Sequence, residues 1–429
     1  MINWNILNGT RYPFLERNML ICVLIGFSSG LPLWLLINLL PAWLAESHIS
    51  LKTIGAMSLI MLPYTWKFLW APLMDRVALP LGRRRGWMWL SQLALLLAIC
   101  GYGQLNPQTD MQWVIALSLA VAVFSATQDI AIDAYRRELL PDEEMGLGSA
   151  LHVNAYKLAS LVPGSLALIL ADHIPWSWVF VITALFMLPG FLTSLWVKEP
   201  AQFSTPTTLR AAIVEPFTEF IGRNGWKTAV YLMLFILLYK MGDSMATALA
   251  TPFYLEMGFT KTEIGTVAKT AGLTASIAGG LIGGLWMLRL GITRALWLFG
   301  VAQMVTILGF AVLAKTGAVL WVLASAIALE ALGTGMGTTA FVAFIASQTD
   351  KRYTATQFAL FTSLSAVPRS FINASTGWIV EGLGWFNFYL LCTALALPGM
   401  FLLIKIAPWP KKASTAIRSD AQKSLSSLG

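Results

Sequence analysis

The chain has 429 residues, of which 57% are hydrophobic and 12% charged, and its formal net charge is +8. A soluble domain usually carries about twice that charged fraction, so the solvent for this much apolar surface has to be lipid. The positive balance does not mark a nucleic-acid binder. Lys and Arg stand in short clusters between long apolar runs rather than on one basic face, which is the pattern of membrane topology.

Stretches of about 20 mostly apolar residues, each enough to cross a bilayer, predict twelve spans in chain order. They fall at 18–44, 53–74, 87–105, 112–135, 147–171, 177–197, 228–255, 262–288, 295–314, 319–347, 356–380 and 386–407. The first is too long for a signal peptide and lacks a small-residue cleavage site. Prolines inside spans, among them Pro41, Pro163 and Pro252, are tolerated where protein or water covers the freed carbonyl. The three cysteines, Cys22, Cys100 and Cys392, each fall in an apolar run without ligand spacing. No metal site and no cofactor is expected from them.

Orientation follows from the basic residues. With the N-terminus inside, 21 of the 29 Lys and Arg residues fall in cytoplasmic segments, and only Lys52, Lys261 and Lys315 in external loops. That split places both termini in the cytoplasm. The long internal loop divides the chain into a first half at 1–200 and a second at 227–410. Between them, 201–226 starts polar and then spaces Leu209, Ile213, Phe217, Phe220 and Ile221 for one face, the pattern of a linker with an amphipathic surface helix. The halves share a weak repeat, with Leu51 to Gly55 opening span 2 and Lys261 to Gly265 opening span 8. The Ser-rich tail 411–429 is expected to be disordered.

Charge inside a span is costly and calls for a cavity or a partner. The acids are Asp129 and Asp133 in span 4, Asp243 in span 7 and Glu330 in span 10. The bases are Lys67, Lys157, Lys240, Lys269 and Arg369, in spans 2, 5, 7, 8 and 11. Some have plain readings: Lys240 and Asp243, three apart, can neutralise one another, and Asp133 can be the solvated end of its helix beside Arg136. The glycines of spans 8 and 10, Gly279, Gly280, Gly283, Gly284, Gly333, Gly335 and Gly337, read as close helix packing. No phosphate-binding loop motif occurs, so a pump with its nucleotide site in the same chain is not expected.

The segment Asp75-Arg76 followed by Gly82-Arg83-Arg84-Arg85 resembles the cytoplasmic signature of the major facilitator superfamily. That resemblance implies an all-α membrane fold of twelve transmembrane helices in two pseudo-symmetric six-helix halves. It also implies that spans 1, 4, 7 and 10 line a central cavity, and that Asp75 gates it from the N-terminus of span 11. Gly26 to Pro32, Lys67 to Arg76, Ser125 to Ala134, Leu238 to Asp243 and Ala355 to Ala359 further resemble the AmpG-type muropeptide permeases. This second resemblance implies proton-driven import of 1,6-anhydromuropeptides through the bacterial inner membrane by a monomeric carrier rather than an enzyme. Its wider family includes siderophore permeases, which is the alternative substrate class. Asp129, then Asp133 and Glu330, are the expected proton-coupling acids, with Lys67 as the counter-charge to Asp129. Five span bases against four acids suggest a bulky anionic substrate, with Trp34, Trp66 and Tyr239 as candidate aromatic walls of the cavity.

Overall fold

The structure is a computed structural model and describes residues 16–50, 53–54, 57–200, 208–371 and 376–409. Among these, twelve helical crossings form two six-span halves. Span 1 runs Arg17–Glu46, span 4 Met111–Leu139, span 5 Met145–Ala171, span 6 Trp176–Trp196, span 7 Trp226–Glu256 and span 10 Leu320–Ser347. Span 3 is Arg83–Tyr102. Span 2 is broken into Met57–Met61, Leu62–Trp66, Lys67–Leu69 and Ala71–Arg76. The repeat at Leu51 to Gly55 lies mostly outside the described residues, as do 201–207 and the tail 411–429.

Two expected loops shrink to a single glycine. Spans 8 and 9 continue through Thr270–Thr316 and reverse at Gly291, φ 72°. Span 11 opens as Thr354–Phe371, and Thr376–Ile406 carries its end and span 12, turning at Gly384, φ 71°. A side chain at either left-handed position would strain the backbone, so glycine fixes both turns.

Three spans carry a wide π turn near mid-bundle: Leu35–Leu39 in span 1, Val162–Leu166 in span 5 and Ala268–Gly272 in span 8. Proline explains two of them. Pro41 and Pro163 lack an N–H and press on the preceding turn, and one extra residue in that turn relieves the clash.

Span 8 shows why its glycines come in pairs. A Cβ on Gly279 would run into the Leu332 carbonyl, and one on Gly283 would lie 3.1 Å from Met336 Cα, both on span 10. Gly280 and Gly284, one residue on, face span 5 instead, where added Cβ atoms would run into Asn154 and Ala150. One helix thus packs closely on two neighbours, one in each half. In lipid, where apolar surface gains nothing by leaving water, this close approach is what holds helices together.

The helix Leu209–Asn224 links the halves, its start capped by Thr208, which accepts from the Ala211 N–H at 3.0 Å. Ile213, Val214, Phe217 and Ile221 stay exposed while Phe220 is buried against Phe361. An exposed apolar stripe on a polar helix suits the membrane interface. This helix, the Arg83–Arg85 cluster and both described chain ends lie on one side of the bundle, hereafter the basic face.

Candidate transport site and gate

A cavity of 420 Å³ opens between the halves, away from the basic face. Its walls include Trp34, Lys157, Ser160, Asp243, Ser276, Glu330 and Thr334. The π turns of spans 1, 5 and 8 border it, and place Trp34, Ser160 and Gly272 around its rim. Trp34 is held flat by its indole N–H, which donates to the Tyr156 carbonyl at 3.1 Å. Lys157 reaches from span 5 across to span 8 and donates to Ser276 Oγ at 2.6 Å.

The second half supplies a chain of polar contacts on one wall. Lys240 Nζ lies 2.8 Å from Asp243 Oδ2 and donates to Gln303 Oε1 at 3.0 Å. Thr334 Oγ1 lies 2.6 Å from Asp243 Oδ1 and 2.8 Å from Glu330 Oε1. Glu330 and Thr334 are four apart on span 10, so one helical face presents both.

The first half holds a separate cluster, nearer the basic face. Asp129 accepts from Ser29 Oγ, and Lys67 Nζ stands 3.9 Å from its other oxygen. One turn on, Asp133 accepts from Arg136 Nη2 at 3.0 Å, with His152 Nε2 at 4.0 Å. Asp133 is therefore tied to a buried arginine rather than solvated at a helix end.

On the basic face, Asp75 is wholly buried. It accepts from Arg84 Nη2 at 2.7 Å, from the backbone N–H of Ala355 at 3.2 Å, and from Thr356 N–H and Oγ1 at 2.8 and 2.7 Å. Span 11 starts at Thr354, so these are the free amides of a helix N-terminus, where an anion is favoured. Arg84 also bonds Glu138 at 2.6 Å, and Glu199 accepts the Arg84 and Arg85 amides that open span 3, at 2.7 and 3.0 Å. Gly82, φ 115°, is needed there, since a Cβ would lie 2.6 Å from the Glu199 carboxyl. Arg83 joins Glu138 at 3.4 Å, while Arg76 remains exposed.

The interfacial helix is stitched to the same end of span 11. Gln357 donates to the Pro216 carbonyl and to Glu219, at 2.9 and 2.8 Å, and Tyr353 donates to Glu215 at 2.7 Å. Burial, and next the Glu215 carboxylate, push the Tyr353 phenol up to about 12, so it remains a donor at neutral pH.

Of the residues singled out in the sequence, Lys157, Asp243, Glu330 and Trp34 meet at the cavity, and Lys240 backs it. Lys67, Asp129 and Asp133 form their own buried cluster. Tyr239 is not a cavity wall: its ring stacks on Phe341 at 5.4 Å and its hydroxyl donates to the Leu296 carbonyl at 3.1 Å. It precedes Lys240, and a one-residue step turns a helical side chain by about 100°. Trp66 stacks on Phe68, 51% exposed, and does not line the cavity either. The side chains of Lys269 and Arg369 lie outside the described residues. Reasoning from sequence did not find Ser29, Ser276, Gln303, Thr334, Glu138 and Glu199. For Thr334 the available signal was its four-residue spacing from Glu330.

Solved structures share this architecture. The fucose transporter FucP in its outward conformation superposes with a TM-score of 0.70 at 14% identity, covering 91% of this chain and 99% of that one. A bacterial homologue of the iron transporter ferroportin, in an outward-facing state, gives 0.67 at 15%, covering 92% and 100%. Fold and site together define a twelve-span membrane carrier, and the family model described as Major Facilitator Superfamily matches residues 22–373. The anhydromuropeptide permease of Escherichia coli (strain K12) is 43% identical over 395 residues, 91% of this chain and 80% of the relative. An uncharacterized protein of Haemophilus influenzae is 49% identical over 412 residues, 94% and 97% of the two chains. The chain belongs to the AmpG-type permeases of the Major Facilitator Superfamily, a family of transporters and not of enzymes.

Proposed function

We propose that this carrier imports 1,6-anhydromuropeptides, GlcNAc-anhydroMurNAc with or without its stem peptide, across the inner membrane, driven by protons, for reuse of cell-wall material. The name of the Escherichia coli relative supports the substrate class. The observation that carries the reading is Lys157 in the central cavity. Lys67 and Lys240 each have an acid within 4.0 Å, whereas Lys157 has no ion-pair partner among the described residues. Its ammonium has three hydrogens and spends one on Ser276, leaving two for a carboxylate. Trp34 offers a fixed flat surface beside it, suited to a sugar ring. A 420 Å³ space falls within the range of small-molecule sites, about 300–1,000 Å³.

The positive-inside bias supports a cytoplasmic basic face and two cytoplasmic termini. In that orientation the Asp75 bonds close the inner side, the cavity faces outward, and the halves 1–200 and 227–410 rock about it. Purified protein in proteoliposomes should accumulate labelled anhydromuropeptide when an inward proton gradient is imposed, and lose that accumulation with a protonophore. Accumulation of a ferric siderophore instead would replace the substrate. A cysteine at the exposed Gln108 should react from outside and one at Lys351 from inside; the opposite pattern would invert the topology.

A further inference from the structure

Thr334 makes two carboxylate contacts with one hydroxyl, 2.6 Å to Asp243 and 2.8 Å to Glu330. A hydroxyl donates once. Both contacts are hydrogen bonds only if one of the two carboxyls brings a hydrogen of its own. Asp243 is the wrong holder: its second oxygen already faces the Lys240 ammonium at 2.8 Å, and protonation would leave that cation buried without its anion. Glu330 has no ion-pair partner among the described residues and is buried, 8% exposed. The two buried carboxyls share one hydroxyl and also lie within hydrogen-bond reach of each other, so they are poorly able to ionise together.

We propose that Glu330 holds the transported proton, donating it to Thr334, which donates to Asp243, which is neutralised by Lys240, and that this proton and the anionic substrate bind together through Lys157. The assignment rests on the proton-coupled reading above and extends it to a named site. With Glu330 protonated, Lys240 and Asp243 cancel and, among the described residues, Lys157 is the surplus charge of the cavity, available to the substrate carboxylate. When the O–H bond of Glu330 breaks, the electron pair stays on the carboxylate and the proton leaves to water. Glu330 then competes with the substrate for Lys157, which lines the same cavity. Proton binding thus raises affinity for the anion, and by linkage the anion raises affinity for the proton. Among the described residues, the other titratable groups that act on this pair are the phenols of Tyr239 and Tyr254 on span 7 and Tyr389 on span 12. The side chain of Lys269, on span 8, lies outside the described residues.

Two measurements on the full-length solubilised protein test this. Infrared spectra at neutral pH, with no substrate, should show the carbonyl stretch of a protonated carboxyl in wild type and in Asp129→Asn, and its loss in Glu330→Gln. The amide introduced by Glu330→Gln can donate to Thr334 as the acid does, so this variant keeps the hydrogen-bond chain. A wild-type spectrum without the band, or a band that survives Glu330→Gln, overturns the assignment whatever the substrate proves to be. Over the pH range in which Lys157 stays charged, binding of labelled anhydromuropeptide should weaken about tenfold per pH unit above the titration range of Glu330 in wild type and become independent of pH in Glu330→Gln. Persistent pH dependence in that variant overturns the linkage. If wild type binds no muropeptide at any pH, the substrate reading fails, and the infrared result still decides the proton site.

Discussion

Asp75→Asn is the sharpest perturbation of the gate. Three of the four hydrogen bonds that Asp75 accepts come from span 11, in the other half, and the fourth comes from Arg84. Asparagine keeps one acceptor oxygen and puts an NH₂ group where the second oxygen faced donors. About two charge-assisted bonds are lost, at roughly 1.5–3 kcal/mol each when buried. Arg84 retains Glu138 at 2.6 Å, which holds the net effect near roughly 3 kcal/mol, or about 150-fold in the balance between the two gate states. The assay is reaction of single cysteines with a membrane-impermeant thiol reagent applied from each side. A cysteine at Thr247, on the cavity wall, should react more slowly from the opposite face. One at Ser363, buried in span 11, should react faster from the basic face. Thr356→Ala removes one hydroxyl bond, worth about 1 kcal/mol, and should shift both rates about fivefold in the same directions. If both rates stay within about twofold of wild type in a folded Asp75→Asn protein, the gate does not depend on these bonds.

Three further outcomes are expected. Gly335→Ala drives a Cβ into the Ser276 carbonyl and puts it 3.0 Å from the Gly280 nitrogen. It should destabilise the bundle by about 1–3 kcal/mol and lower the melting temperature in detergent, while Gly382→Ala, with nothing within 4 Å, should leave it unchanged. Lys157→Gln should raise the KM for peptide-bearing substrate at least tenfold and abolish the weakening of binding by added salt, as read by uptake at two ionic strengths. Asp129→Asn, which strands Lys67, should slow uptake yet keep its pH dependence, because the proton is assigned to Glu330; a pH-independent Asp129→Asn carrier would move the coupling site to span 4.

What could be read from the sequence differs between the gate and the cavity for a physical reason. Asp75 and the Gly82–Arg85 run are contiguous and sit where the chain leaves lipid, so spacing and charge expose them. Their partners do not: Glu138 ends span 4 and Glu199 follows span 6, and each looks like an ordinary solvated acid until the fold brings it to Arg84. In the cavity the charged residues stood out against apolar runs, yet the hydroxyls that decide their state did not. Ser29, Ser276 and Thr334 are common residues in close-packed spans, and only three-dimensional contact gives them a role. Tyr239 failed for want of phase. A hydrophobic helix with neighbours on several sides has little moment to say which way a given ring points, and Tyr239 turned out to face spans 9 and 10.

The two halves each place an acid on their fourth span and give it opposite surroundings. Asp129 has a hydroxyl donor and a lysine at 3.9 Å. Glu330 has a hydroxyl already committed to a second carboxylate, and no described cation of its own. A count of charges along the spans treats these acids as equals and ranks them by depth or by distance from the basic loops. Hydrogen-bond accounting separates them, because an ionised acid needs donors and a protonated one needs an acceptor. Asp129 is supplied with donors, while Thr334 offers Glu330 an acceptor whenever it donates to Asp243. The same accounting says why Asp243 and Lys240 should be kept as a pair. Their mutual neutralisation leaves Lys157 as the surplus charge against which both the proton on Glu330 and an incoming carboxylate are felt. Remove that pairing with Lys240→Gln and the surplus vanishes, Asp243 becomes the stronger base, and the proton is expected to shift from Glu330 to Asp243. The infrared band should then survive Glu330→Gln in the double variant; its absence there would mean that Lys240 does not set which acid is charged.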